Sequence, residues 1–211
     1  MLRTLLLFDL DGTISDPLEG FVRSINYALE ACSYPPYQGS VLSQYVGPPL
    51  EDTFKTLTGA DDDRTVSELV KKYRDRYAEI GYAENMLYPG IREALESLTR
   101  NDIPMGVCTT KRQDFAEKIL QRFDLRPYFR FISGGDIGIK KWQQIEALLS
   151  NNAIDRNTIM IGDRAIDLSA AHQNGLVSAG VLWGYGSRSE LESAAPRHLL
   201  VHPGELTTFL G

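Results

Sequence analysis

The stretch Leu5-Leu6-Leu7-Phe8-Asp9-Leu10-Asp11-Gly12-Thr13-Ile14-Ser15-Asp16 constrains this chain more than any other. Four apolar residues stop at a carboxylate, a second carboxylate follows two positions on, and Gly-Thr comes next. A short continuous apolar run bounded by turn residues reads as a strand buried on both faces, and such strands belong to parallel sheets. In open parallel sheets, ligands gather where the carboxyl ends of the strands emerge. Residues i and i+2 of an extended chain share a face, so Asp9 and Asp11 are predicted to point into one small volume. Two carboxylates that close repel each other unless a cation neutralises them. Mg²⁺, typically held by one or two carboxylates plus substrate phosphate, answers that need. The competing reading is a plain surface turn, for which Asp and Gly are ordinary residues.

Asp16-Pro17-Leu18-Glu19 predicts a helix start, with Asp16 as the cap and Pro17 at the first helical position. Leu18, Phe21, Val22, Ile25 and Leu29 give that helix one apolar stripe, and Tyr34-Pro35-Pro36 ends it. Residues 40–80 offer no strand, and Gly47-Pro48-Pro49 interrupts them. Val66, Leu69, Val70, Tyr73, Tyr77 and Ile80 recur at helical spacing and predict a helix of about four turns packed on one side. Asp61-Asp62-Asp63 reads as its solvated start and Gly81 as its stop.

Past Tyr88-Pro89-Gly90 the pattern alternates. Strands are predicted at Pro104–Cys108, Tyr128–Ile132, Thr158–Ile161 and Leu176–Leu182, with helices between them. With the first strand this makes an α/β fold, a Rossmann-like three-layer core with a parallel sheet of about five strands. A chain of 211 residues fits one large domain or a core with an insert. The helical block after the first strand is predicted to be that insert, so 1–14 and 86–211 form the core and 15–85 a helical cap.

Composition excludes several classes of partner. Lys+Arg 22 against Asp+Glu 28 gives a net charge of −6, which offers no general attraction to nucleic acid or anionic lipid. The cysteines, Cys32 and Cys108, show no metal-binding spacing and suit a reducing compartment. No apolar run approaches a membrane span, and Leu5–Phe8 is too short for a signal-peptide core. A soluble cytoplasmic protein, monomer or homodimer, without membrane or nucleic-acid polymer partners, is the expectation.

Three further features follow predicted strands. Thr109, with Thr110 and Lys111 behind it, offers a hydroxyl and free N–H groups for an anion. Lys140-Lys141 opens a helix, where a lysine opposes the macrodipole unless an anion compensates; a solvated surface pair is the alternative. Gly162-Asp163-Arg164-Ala165-Ile166-Asp167 places two carboxylates on one helical turn, where caps are the alternative. His172 reads as a packed or surface residue, and His198 and His202, four apart and followed by Pro203, lack a third ligand nearby and predict no metal site.

In this order the features resemble the haloacid dehalogenase-like superfamily of phosphotransferases. Asp9-Leu10-Asp11-Gly12-Thr13 is similar to its first motif, Thr109 to its second, Lys141 or Lys140 to its third, and Gly162-Asp163 through Asp167 to its fourth. The insert resembles the C1 cap of the phosphoglycolate phosphatase-like subfamily. Lys141-Trp142-Gln143-Gln144-Ile145, together with Gly184-Tyr185-Gly186-Ser187, resembles a 5′-nucleotidase-like branch, which favours Lys141 over Lys140.

The resemblance implies a phosphatase acting on a small-molecule phosphate ester. Asp9 would be the nucleophile and Asp11 the general acid and base, with Thr109 and Lys141 catalytic and Thr109, Thr110 and Lys141 gripping phosphate. Mg²⁺ would be the cofactor, among Asp9, Asp11, Asp163 and Asp167, with Asp11 contributing its backbone carbonyl. Gly47-Pro48-Pro49-Leu50 is the candidate cap loop, against a plain helix–helix corner. A phosphomutase of the same fold and a receiver-like phospho-acceptor domain are the alternatives.

Overall fold

The computed structural model describes residues 4–136 and 138–209. The first strand, β1 (Leu6–Phe8), has no exposed surface. It is sealed because it has a parallel neighbour on each side: Leu6 stands opposite Met105 on one edge and Ile159 on the other. The neighbours are β2 (Met105–Arg112) and β4 (Ile159–Gly162); β3 (Ile132–Gly135), β5 (Val177–Val181) and β6 (His198–Leu200) complete the sheet. The order is β3-β2-β1-β4-β5-β6, parallel throughout. The chain lays β2 and β3 to one side of β1, then crosses to lay β4, β5 and β6 on the other. The strand order therefore reverses between β1 and β4, and a crevice opens at such a point at the carboxyl ends of the strands.

Side chains alternate across the sheet. Leu5 and Leu7 pack with Met160 and Cys108 against Ile145 and Leu148 of α7 (Lys141–Ser150) and Ala170 and Ala171 of α8 (Ala165–Gln173). Phe8 faces the opposite side and meets Phe129 edge to face, ring centres 6.1 Å apart. Apolar surface on both faces explains why the β1 sequence is unbroken by polar residues.

Among the described residues this sheet has six strands where about five were expected. The sixth, His198–Leu200, is a three-residue edge strand on Val177–Val181 and carries too little apolar pattern to announce itself. The strand predicted at Tyr128–Ile132 begins later: Arg126–Tyr128 is a 3₁₀ turn containing Pro127, bonding to β2 starts with the Arg130 N–H on the Met105 carbonyl, and the strand itself starts at Ile132 opposite Val107. Proline cannot donate to a ladder, which displaces the strand. β2 runs on to Arg112, with a register shift between Cys108 and Arg112, so Thr109, Thr110 and Lys111 lie within the strand and not past it.

The chain forms two compact units, Met1–Asp16 with Leu87–Gly211, and Pro17–Met86. The second contains α1 (Leu18–Ala31), α2 (Gly39–Leu42), α3 (Leu50–Thr58) and α4 (Asp63–Glu79); in the first, α5 (Ile91–Arg100) and α6 (Gln113–Arg122) precede α7. Asp62 caps α4, its carboxylate accepting from the Thr65 N–H at 2.8 Å. Val66, Leu69, Val70, Tyr73 and Tyr77 are buried as the spacing predicts, but Ile80 is 49% exposed because the helix ends at Glu79. The expected Asp16 cap does not form: Pro17 holds the N-cap position without a side-chain bond, and Asp16 is engaged elsewhere.

Candidate active site

The sheet's reversal point brings the acidic motifs together. The Asp9 N–H donates to the Ile161 carbonyl at 2.9 Å, extending the ladder one residue beyond β1. Asp163 follows β4 directly, and Asp167 lies in the first turn of α8. Asp9, Asp163 and Asp167 are all buried, with one carboxylate oxygen from each within 4.8 Å of the others.

Among the described residues, a buried ammonium pairs with two members of this cluster. Lys141, at the start of α7 and 1% exposed, forms ion pairs with Asp9 Oδ1 at 2.9 Å and with Asp167 Oδ1. Lys140 is exposed, and its backbone N–H is used by Gln143 Oε1 at 2.9 Å. Asp167 turns its other oxygen to the Arg164 N–H at 3.1 Å. Asp9 Oδ1 lies at ion-pair distance from Lys141, yet no donor among the described residues aims at it with hydrogen-bond geometry. Asp11 Oδ1 is likewise buried, with no hydrogen-bond partner among the described residues.

The acid–base balance of the cluster is strained. Burial, then the charges of Asp167 and Asp9, push the Asp163 carboxyl up to about 8. Burial also pushes Asp167 up to about 6, with Lys141 holding it down and Asp9 adding to the rise. Burial favours a neutral Lys141, but Asp167 and Asp9 outweigh it and hold the ammonium well above its ordinary range. Burial raises Asp11, partly offset by Lys111. Carboxylates crowded against one ammonium, with two oxygens lacking donors, fit a hard divalent cation. Asp9, Asp163 and Asp167 are the residues that could hold one.

Gly12 makes the close approach possible. Its φ is +84°, and a Cβ there would lie 2.2 Å from Asp163 Oδ2. Thr13 Oγ1 donates to Asp163 Oδ1 at 3.3 Å and the Tyr185 N–H to Oδ2 at 2.8 Å.

The remaining predicted residues divide. Thr109 is 1% exposed, its hydroxyl accepting from the Lys111 N–H at 3.2 Å. Thr110 alternates to the other side of the strand and is exposed, meeting none of the cluster among the described residues. The histidines sit elsewhere: His172 pairs with Ser178 at 2.8 Å, His198 packs on Phe209, and His202 lies 3.4 Å from Glu205.

Sequence reasoning did not single out several contributors. Lys111 Nζ lies 2.8 Å from Asp11 Oδ2 and is a second cation at the site. Gln144 Nε2 donates to the carbonyls of Thr109 and Gly134 at 3.1 and 2.8 Å, clamping β2 to β3. Glu190 accepts from Arg164 Nε and the Ala165 N–H, both at 2.9 Å, and pins the turn after Asp163. The Lys111 signal was present in Thr109-Thr110-Lys111, because an alternating strand that turns Thr109 inward also turns Lys111 inward.

Fold and site together define a class: a Rossmann-like α/β enzyme with an acidic centre where the strand order reverses. The chain belongs to the haloacid dehalogenase-like hydrolase family, whose pattern matches residues 6–181. It is 36% identical over 197 residues to a protein named 5′-nucleotidase from Pseudomonas aeruginosa, covering 92% of this chain and 89% of the other. It is 32% identical over 186 residues to tyrosine-protein kinase PtkA from Mycobacterium tuberculosis, covering 86% of this chain but 63% of that protein. A candidate phosphatase of known structure from Clostridium difficile superposes with a TM-score of 0.92 at 36% identity, over the whole of both chains.

Proposed function

We propose that the protein is a Mg²⁺-dependent phosphatase that hydrolyses a small-molecule phosphomonoester through a phosphoryl group carried on Asp9. The observation that supports this best is the placement of Asp9 at the end of β1, in contact with Lys141 and beside two further carboxylates. The relative named 5′-nucleotidase points the same way.

Mg²⁺ would be held by Asp9, Asp163 and Asp167 with the Asp11 backbone carbonyl, and when bound it neutralises the carboxylates and the phosphate they face. Asp9 attacks phosphorus, forming one O–P bond as the bond to the leaving oxygen breaks. Asp11 gives its proton to that oxygen, a role that suits a carboxyl raised by burial. Asp11 then takes a proton from the water that attacks phosphorus, the Asp9–phosphorus bond breaks, and inorganic phosphate leaves. Lys141 holds Asp9 in line and offsets charge spread over the phosphoryl oxygens. Thr109 presents its hydroxyl to the same oxygens, and Lys111 steadies Asp11. Met1–Asp16 with Leu87–Gly211 serves as the catalytic core, and Pro17–Met86 as the cap that excludes water and selects the leaving group.

The test is phosphate release from phosphoglycolate, nucleoside 5′-monophosphates, sugar phosphates and an aryl phosphate, with and without Mg²⁺. Mg²⁺-dependent release that disappears in Asp9→Ala is expected. No release from any ester, or equal release by Asp9→Ala, would overturn the proposal. The likeness to a tyrosine-protein kinase adds one arm: phosphate moving from ATP to a protein tyrosine, and not to water, would favour that reading instead.

A further inference from the structure

The loop after β5, Trp183-Gly184-Tyr185-Gly186, touches both acidic loops without supplying a carboxylate of its own. Trp183 Nε1 donates to the Thr13 carbonyl at 2.9 Å. A Cβ on Gly184 would lie 2.2 Å from the Gly12 carbonyl oxygen, so this backbone rests directly on the turn behind Asp11. Tyr185 faces two ways. Its N–H holds Asp163 Oδ2 at 2.8 Å, and its hydroxyl donates to Asp16 Oδ1. The Tyr88 hydroxyl lies beside that of Tyr185 as well.

These partners stand at particular places in the chain. Asp16 is the last residue before the chain crosses to the Pro17–Met86 unit, and Leu87 is the first after it returns. Tyr88 follows, its N–H directed to the Ile14 carbonyl at 3.4 Å. One side chain thus joins both crossing points, and the peptide N–H of the same residue sets one oxygen of Asp163. Burial and the neighbouring Asp16 push the Tyr185 hydroxyl above its ordinary range.

We propose that Tyr185 is a positioning residue: it fixes the Asp163 carboxylate and ties it mechanically to the two segments that link the units. A peptide N–H whose side chain is anchored at the far end cannot swing away from its acceptor. Deleting the hydroxyl frees that end while leaving the ring and the N–H in place. Partners that orient metal ligands commonly contribute about 10–100-fold to metal affinity when removed. This inference rests on the metal reading above, and its test separates the two.

The experiment compares the full chain with Tyr185→Phe by calorimetric titration of Mg²⁺ and by amide hydrogen exchange with and without Mg²⁺. The parent should bind Mg²⁺, with slower exchange over residues 12–17 and 86–90 when it is bound. Tyr185→Phe should bind roughly tenfold more weakly and lose that protection, with kcat reduced and KM for the ester unchanged at saturating Mg²⁺. Asp16→Asn, which keeps an acceptor, should behave closer to the parent than Asp16→Ala. Parent-like Mg²⁺ affinity and linker protection in Tyr185→Phe would overturn the inference and leave the phosphatase reading standing. A parent that bound no Mg²⁺ would overturn the metal reading and this inference with it.

Discussion

Replacing Lys141 by Met removes the buried ammonium from among Asp9, Asp163 and Asp167. Breaking a buried ion pair by deleting one partner typically costs about 3–5 kcal/mol, because the other charge is left uncompensated. Here the carboxylates can take up protons instead of remaining charged: Asp163 and Asp167 are already pushed up to about 8 and about 6. That escape places the cost near the lower bound, about 3 kcal/mol. At about 2–4 °C per kcal/mol for a chain of this size, the melting temperature should fall by about 6–12 °C without Mg²⁺. Mg²⁺ supplies positive charge to the same carboxylates, so it should raise the melting temperature of the variant more than that of the parent. Phosphatase activity should not return with it, because Lys141 also orients Asp9. Thermal unfolding followed by circular dichroism at pH 7, with chelator and then with Mg²⁺, measures each quantity. A variant that melts with the parent, or that ignores Mg²⁺, would refute the reasoning that Lys141 balances a metal-binding cluster.

The Asp163 carboxyl, raised from 3.8 to about 8, keeps its proton in the folded state after the unfolded chain has lost it. Metal-free stability should therefore fall between about pH 4 and pH 8 and level off above; urea denaturation with chelator checks this, and stability rising across that window would contradict it. Asp11→Asn should lower turnover by about 10²–10⁴-fold while Mg²⁺ affinity by calorimetry changes little, if the carboxyl has the acid and base role proposed for it. Gly12→Ala should sharply weaken Mg²⁺ binding, because its Cβ would fall 2.2 Å from Asp163 Oδ2 on a backbone at φ +84°; unaltered calorimetric affinity would count against that packing.

The parts legible in the sequence were those with a local pattern. β1 declares itself through four apolar residues because both its faces are sealed, and Asp9 is visible as the point where that run ends. Asp163 and Asp167 are visible because one helical turn separates them. The structure sets Lys141 inside and Lys140 outside, a distinction that rests on the resemblance of one short stretch and not on helix periodicity alone. Long-range pairings leave no such trace. Asp16 looked like a helix cap because capping is what an Asp before Pro usually does, yet its carboxylate is taken by Tyr185, 169 residues away. Gln144 looked like one more polar residue on a helix, although it bonds two neighbouring strands. Edge strand β6 went unseen because three residues are too few to establish a period.

The central claim is that Asp9 carries the phosphoryl group. Asp11→Asn, which should slow release of phosphate from Asp9, can be mixed with Mg²⁺ and an aryl phosphate, quenched with borohydride and digested. Peptide mass spectrometry should then find homoserine at position 9, the product of reducing an aspartyl-phosphate there. An unmodified Asp9 in protein that had released the aryl alcohol, or homoserine at any other aspartate, would contradict the account.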